Sequence, residues 1–292
     1  METTLEQHTR ACLHTPSQAL SACMLAAVER DTRGCVLDET QRFNYYPATP
    51  MASIAWIFDG CLHQVVDADP DAPPQLGPAF PRLLFTGPQR KPTVSWSPGP
   101  VHALLVGFYP DALARLLGQP IKPFVDRVLP LEAIAPPALL HACQAVFAES
   151  DTAFAELERQ LTPLWHEPAN RSQSLLLGDW VRSLLTRSTH SGAGNSLRQL
   201  QRRVQDWTGQ SHRDLQLFVR TEEAALRIAA APDHPRNDFA TVAADAGFAD
   251  QSHLGREVRR VTGLPPARLR TLIAEHEAFW YYRLVMGEMR RA

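Results

Sequence analysis

The chain has 292 residues, long enough for two domains with cores of their own, and its net charge of −2 gives no ground for a nucleic-acid partner on isoelectric point alone. That balance hides a split: residues 1–170 carry 11 Lys+Arg against 18 Asp+Glu, whereas residues 171–292 carry 18 against 13, all 18 of them arginine. An acidic first half disfavours wrapping of a polyanion around the whole molecule, and a basic second half marks where one would bind.

Taken in chain order, Ala22–Val28 reads as a strand or a helix, with strand preferred. Residues 19–28 are the only signal-like apolar run; no basic segment precedes them and Glu29-Arg30-Asp31 follows, so the expectation is a cytoplasmic protein with no membrane partner. Ser53–Phe58, Arg82–Phe85, Thr93–Trp96 and Val101–Tyr109 are strand-sized apolar segments separated by Pro and Gly, and the prolines of Asp67–Pro81 predict a long loop. Such spacing predicts an antiparallel barrel or sandwich. Asp111–Gly118, Leu139–Phe147 and Ala153–Trp165 then read as helices between proline breaks. Cys12, Cys23, Cys35, Cys61 and Cys143 are odd in number and form no CxxC, which predicts reduced thiols.

The second half changes to helical periodicity. A helix is expected over Leu175–Leu185, after which Arg187–Gly194 is polar, glycine-rich and a poor helix former. In Ser196–Gly209, Leu197, Leu200, Val204 and Trp207 make an apolar stripe, with Arg198, Gln201, Arg202 and Gln205 turned away from it, Ser196 or Asn195 as cap and Gly209 as stop. Asp214–Ala231 is one amphipathic helix. Phe239, Val242 and Ala243 end at Gly247, which suits a tight turn, and a last helix runs from about Asp250 to Thr262. Its Leu254, Val258 and Val261 must face a core, which points Ser252, Arg256, Arg259 and Arg260 outward, flanked by Gln251 and His253. Arg suits guanine and Gln suits adenine in a major groove. The two helices share a skeleton: a polar residue, Leu, a later Arg, an apolar residue, a basic one, then Thr-Gly.

Residues 195–270 resemble the DNA-binding domain of the AraC/XylS family of bacterial transcription regulators. The matching residues are Ser196, Arg198, Leu200, Arg202, Val204 and Gly209, then Arg220 and Ala224, then Val242-Ala243, Gly247-Phe248, and Asp250, Ser252, Leu254, Arg256, Val258 and Arg259, closed by Gly263, Pro266 and Arg270. The resemblance implies two helix–turn–helix units joined by a long helix, with Arg198, Gln201 and Arg202 meeting bases in the first, and Gln251, Ser252, His253 and Arg256 in the second; Arg259 joins them from the outward face. It departs at residues 187–194, where the family has a short helix, so the first unit is expected to be incomplete and propped by the Leu175–Leu185 helix instead. Val204 and Val258 stand where the family prefers Phe. Gly255, mid-helix, either permits close approach to DNA or is simply tolerated. The first half is similar, less specifically, to the cupin-like sensing domain that precedes this domain in many family members.

The expected fold class is therefore α+β: a cupin-like antiparallel barrel or sandwich with connecting helices over 1–168, and an all-α double helix–turn–helix over 169–292. Double-stranded promoter DNA is the implied partner, with RNA polymerase, a small-molecule effector and a second copy of the chain as further candidates. No cofactor, metal or catalytic residue is expected. His63, His102 and His141 stand alone without a His-x-His pair, and His276-Glu277 lacks a second histidine four residues on. His102 is expected to pack in or edge the sheet. Trp56, Trp96, Phe58, Phe85 and Tyr109 either line an effector pocket or are core aromatics, the latter preferred. The rival reading is a cupin-type enzyme whose C-terminal helices are a docking module.

Overall fold

The computed structural model describes residues 9–67, 75–166, 176–190, 196–230 and 239–289. The first half contains strands β1 (Arg10–His14), β2 (Met24–Asp31), β3 (Phe43–Tyr46), β4 (Ala52–Asp59), β5 (His63–Asp67), β6 (Gln75–Ala79), β7 (Leu83–Thr86), β8 (Thr93–Trp96) and β9 (His102–Phe108). Helix α1 (Pro110–Leu117), strand β10 (Val128–Pro130) and helices α2 (Pro137–Ala145) and α3 (Ala153–Leu161) follow. The strands form two antiparallel sheets, ordered β1-β2-β9-β4-β7-β10 and β3-β8-β5-β6. The chain is thus α+β, an N-terminal antiparallel β unit followed by a helical region.

Two strands differ from the sequence reading. Gln75–Ala79, expected within a loop, pairs with β5. Pro78 fits because β6 ends its sheet and has no neighbour on its outer side. Phe43–Tyr46 is a strand, paired in register with β8. The expected loop's residues 68–74 lie outside the described residues.

Both faces of the large sheet are apolar, because both are covered. On the outer face Ile54, Trp56, Phe85, Leu104, Val106 and Phe108 are fully buried with residues of α1, α2 and α3. Trp56 Nε1 donates to the Cys143 carbonyl at 2.7 Å, so this large aromatic is anchored in the core. The inner face, carrying Ala55, Ile57, Leu84 and Leu105, looks into the space between the sheets. His102 is 1 % exposed and shares the Glu29 carboxylate with His14, at 2.9 and 3.0 Å. Those hydrogen bonds, from His102 first and His14 second, hold the Glu29 carboxyl down to about 2.

The second half is helical: α4 (Leu177–His190), α5 (Leu197–Thr208), α6 (His212–Ala230), α7 (Phe239–Asp245), α8 (Gln251–Thr262), α9 (Pro266–Glu275) and α10 (Trp280–Met289). Helix α4 runs further than expected, through Arg187 to His190; Thr186, Ser188 and Thr189 hydroxyls bond carbonyls three or four residues back, which relieves their competition with the helix. Residues 191–194 of the expected glycine-rich break lie outside the described residues.

Helices α4 and α5 share the core of the first half. Trp180, Val181, Leu184 and Val204 are buried in one cluster with Leu113, Leu117 and Ile121. Asp111, in the first turn of α1 and 6 % exposed, accepts from Trp180 Nε1 at 3.1 Å and from Arg187 Nη2. The Arg187 guanidinium in turn lies 5.6 Å over the Trp207 ring. Helices α6 to α10 keep a second cluster, built on Ala224, Val242, Phe248, Leu254, Val258 and Phe279, which extends to Phe43 and Tyr45 of β3. Tyr45 and Phe279 stack at 4.6 Å, and Trp280 Nε1 donates to Asn44 Oδ1 at 2.8 Å. Helix α10 and the turn before it therefore close back onto β3 of the smaller sheet.

Candidate nucleic-acid interface

Two helices present the exposed arginine faces expected of readers. In α8, Asp250 caps the start by accepting from the His253 amide at 2.7 Å, and Leu254, Val258 and Val261 are buried. Gln251, Ser252, Arg256, Arg259 and Arg260 are exposed. Arg260 is tied to Asp214 of α6 at 3.1 Å, whereas Arg256 and Arg259 form no ion pair among the described residues. His253 is half-buried: its ring meets Phe248 edge-on at 5.4 Å and its Nδ1 accepts from the Ala249 amide at 3.4 Å. It braces the turn more than it extends from the face.

The turn before α8 is built for a sharp reversal. Gly247 has φ +73°, the left-handed region that costs a side-chain-bearing residue. Its carbonyl accepts from Arg220 Nη1 of α6 at 3.2 Å, and the same guanidinium lies 5.2 Å over Phe248. Helix α6 thus grips the second unit at its turn.

Helix α5 carries Arg198, Gln201, Arg202 and Gln205 exposed. Arg198 forms no ion pair among the described residues, and Arg202 Nε is 3.9 Å from Asp206. Ser196 and Gln199 make a reciprocal capping box. The internal repeat extends to atomic detail at the helix ends. Thr208 Oγ1 donates to the Val204 carbonyl at 2.7 Å and accepts from the Gln210 amide at 3.2 Å; Thr262 does the same between Val258 and Leu264, at 2.8 and 3.2 Å. Each is followed by a left-handed glycine, Gly209 at φ +75° and Gly263 at +81°.

The two copies differ in what lies beneath them. α8 packs on α7, its helix–turn–helix partner, whereas α5 rests on α4 and on the segment Ile121–Val125 of the first half. A Cβ on Gly209 would sit 2.7 Å from Val125 Cγ2 and 3.2 Å from Lys122 Cα, so this helix end is pressed against that segment. The second unit also touches the barrel: the Ala48 amide donates to the Val261 carbonyl at 2.7 Å. A Cβ on Gly255 would meet nothing within 4 Å, so this mid-helix glycine faces open space.

Behind the helices lies a cavity of about 350 Å³ between the two sheets. Its walls are mostly aliphatic and aromatic, among them Val28, Tyr46, Ala55, Phe80 and Leu105. Its mouth is roofed by Phe218, Thr221 and Glu222 of α6 and by Trp280, Val285 and Met286 of α10. None of the aromatics weighed from sequence as a pocket lining, Trp56, Trp96, Phe58, Phe85 or Tyr109, borders it; Trp56, Phe85 and Tyr109 belong to the core. Among the described residues no group of three or more His, Cys, Asp or Glu could hold a metal ion, and no helix is long and apolar enough to cross a membrane.

Residues 191–271 match the family model of a helix-turn-helix domain. No curated protein matches the chain. Among solved structures it is similar to ToxT from Vibrio cholerae O395, at 11 % identity and a TM-score of 0.37 over 91 % of this chain and 98 % of that one. It is also similar to unsaturated fatty acid bound wild-type ToxT from Vibrio cholerae strain SCE256, at 11 % identity and a TM-score of 0.35 over 92 % and 96 %.

Proposed function

We propose that this chain, whose residues 191–271 match the model of a helix-turn-helix domain, is a sequence-specific DNA-binding transcription regulator of the AraC type that acts without catalysis. The observation that carries the reading is the structural repeat: two helices with the same Thr-Gly ending, each exposing arginines and glutamines on the face turned from its core. In this reading Gln251, Ser252, His253, Arg256 and Arg259 meet DNA from α8, and Arg198, Gln201 and Arg202 from α5. Residues 169–292 bind promoter DNA, and residues 1–168 sense an effector or assemble the chain. RNA polymerase and a second copy of the chain are its further partners.

The test is duplex selection from a random pool, followed by anisotropy titration of the full-length protein. One sequence should bind at least ~10³-fold more tightly than random duplex, with log affinity falling linearly as log salt rises. Equal affinity for all duplexes, or no binding at any salt, would sink the proposal and favour the docking-module reading.

The position of α5 supports a second reading, in which only the second unit reads sequence and a dimer supplies affinity. Arg256→Ala should cost about 1–3 kcal/mol at one base position and relax specificity there. Arg198→Ala or Arg202→Ala should do the same about one helical turn away, ~34 Å along the duplex. An effect from α8 alone, with two symmetric half-sites, selects the second reading.

A further inference from the structure

The cavity between the sheets contains two charged lining residues among those described, Arg30 and Glu222, and their situations are opposite. Arg30 is 4 % exposed and spoken for: Nη2 donates to Glu277 Oε1 at 2.8 Å, and the guanidinium carbon lies 4.7 Å over the Trp280 ring. Its Nε and Nη1 are buried without acceptors.

Glu222 has no such counter-charge. Its Oε2 accepts from the Leu177 amide at 3.0 Å, and no described cation pairs with it. Burial and the nearby charge of Asp179 push its carboxyl up to about 8. Beside it Thr221, 4 % exposed, holds a buried hydroxyl without a partner. An apolar chamber of this size, within the ~300–1,000 Å³ range of small-molecule sites, thus has one unpaired carboxyl at its mouth.

We propose that the lumen binds a small apolar molecule bearing a protonated amine, the apolar body filling the barrel and the ammonium meeting the Glu222 carboxylate beneath α6. Tyr46, Phe80 and Phe218 supply apolar contact. The consequence for DNA rests on the regulatory reading above. Two residues before Glu222, Arg220 holds the turn of the second unit through the Gly247 carbonyl, and two residues after it Ala224 lies fully buried in that unit's core. A ligand that repositions Glu222 therefore acts on the helix that positions α8.

The experiment uses the full-length protein and three probes of one chain length: octylamine, octanol and octanoate. Calorimetric titration above pH 8, where Glu222 is ionised, should rank octylamine roughly tenfold or more above octanol, with octanoate weakest, because only the amine carries a charge opposite to the Glu222 carboxylate. Glu222→Gln keeps an acceptor for the Leu177 amide; it should lose the amine preference yet bind octanol within about threefold of the parent. An unchanged melting temperature or a raised one would show that the variant is folded. Octanoate binding best, an amine preference surviving in Glu222→Gln, or no probe binding would each overturn the assignment. Duplex titration on the same samples separates the two claims. Specific DNA binding with no amine site leaves the regulator standing and removes the ligand. Amine binding that shifts duplex affinity by about fivefold or more supports coupling, and an unshifted affinity overturns it.

Discussion

Replacing Trp280 by alanine should lower stability by about 3–5 kcal/mol, the usual range for deleting a large buried aromatic. Trp280 is 5 % exposed and joins three things at once. Its indole N–H satisfies Asn44, its face carries the Arg30 guanidinium, and its edge meets Tyr46 at a ring distance of 6.2 Å. The alanine variant leaves Arg30 buried with Glu277 as its remaining anchor, and it opens the roof of the lumen. A melting temperature lower by roughly 10 °C is the expected reading. Trp280→Phe keeps the packing and the ring face but not the hydrogen bond, and should lose about 1–2 kcal/mol. Equal losses in the two variants would mean that the hydrogen bond, not the packing, closes the chain onto the barrel.

Asp111→Ala should cost about 2–3 kcal/mol, by leaving the Trp180 N–H and the partly exposed Arg187 guanidinium without their shared acceptor. Asp111→Asn retains an acceptor for Trp180 and should lose about half as much. In a double-mutant cycle with Arg187→Ala, measured by urea unfolding, coupling above ~0.5 kcal/mol is expected. Additive losses would show that Asp111 acts only through Trp180 and through its favourable place in the first turn of α1. Because α5 sits on the same platform, the Asp111 variants should also weaken any base contact made by Arg198 or Arg202, leaving that of Arg256 intact.

The second helix–turn–helix unit was legible because its physics is local. Leu254, Val258 and Val261 recur at one-face spacing, Gly247 and Gly263 mark its turns, and its core lies largely within the segment that carries the pattern. The lumen was not legible, because a sheet covered on both faces gives no alternation of polar and apolar residues. In β4, Trp56 and Ile54 face the helices while Ala55 and Ile57 face the cavity, and both sets are apolar. Size was a misleading guide: the conspicuous aromatics went to the outer face, and the chamber is lined on this strand by the smaller residues. β3 was missed for a related reason, since Tyr45 stacks on Phe279 and Tyr46 meets Tyr281 edge-on, each more than 230 residues away. The platform under α5 was equally invisible, as no local pattern says that Ile121–Val125 will meet Gly209.

The hydrogen bond from the Ala48 amide to the Val261 carbonyl makes one backbone proton a clock for separation of the two halves. Ala48 lies just beyond β3 rather than within it, and its amide finds its acceptor at the last turn of α8. Its exchange with deuterated solvent is therefore governed by how often α8 lifts from the first half, not by the opening of a strand ladder. If DNA is bound with the halves apart, this proton should be released early while those of β2 and β9 stay protected. If the docked arrangement itself reads the groove, the operator should slow it.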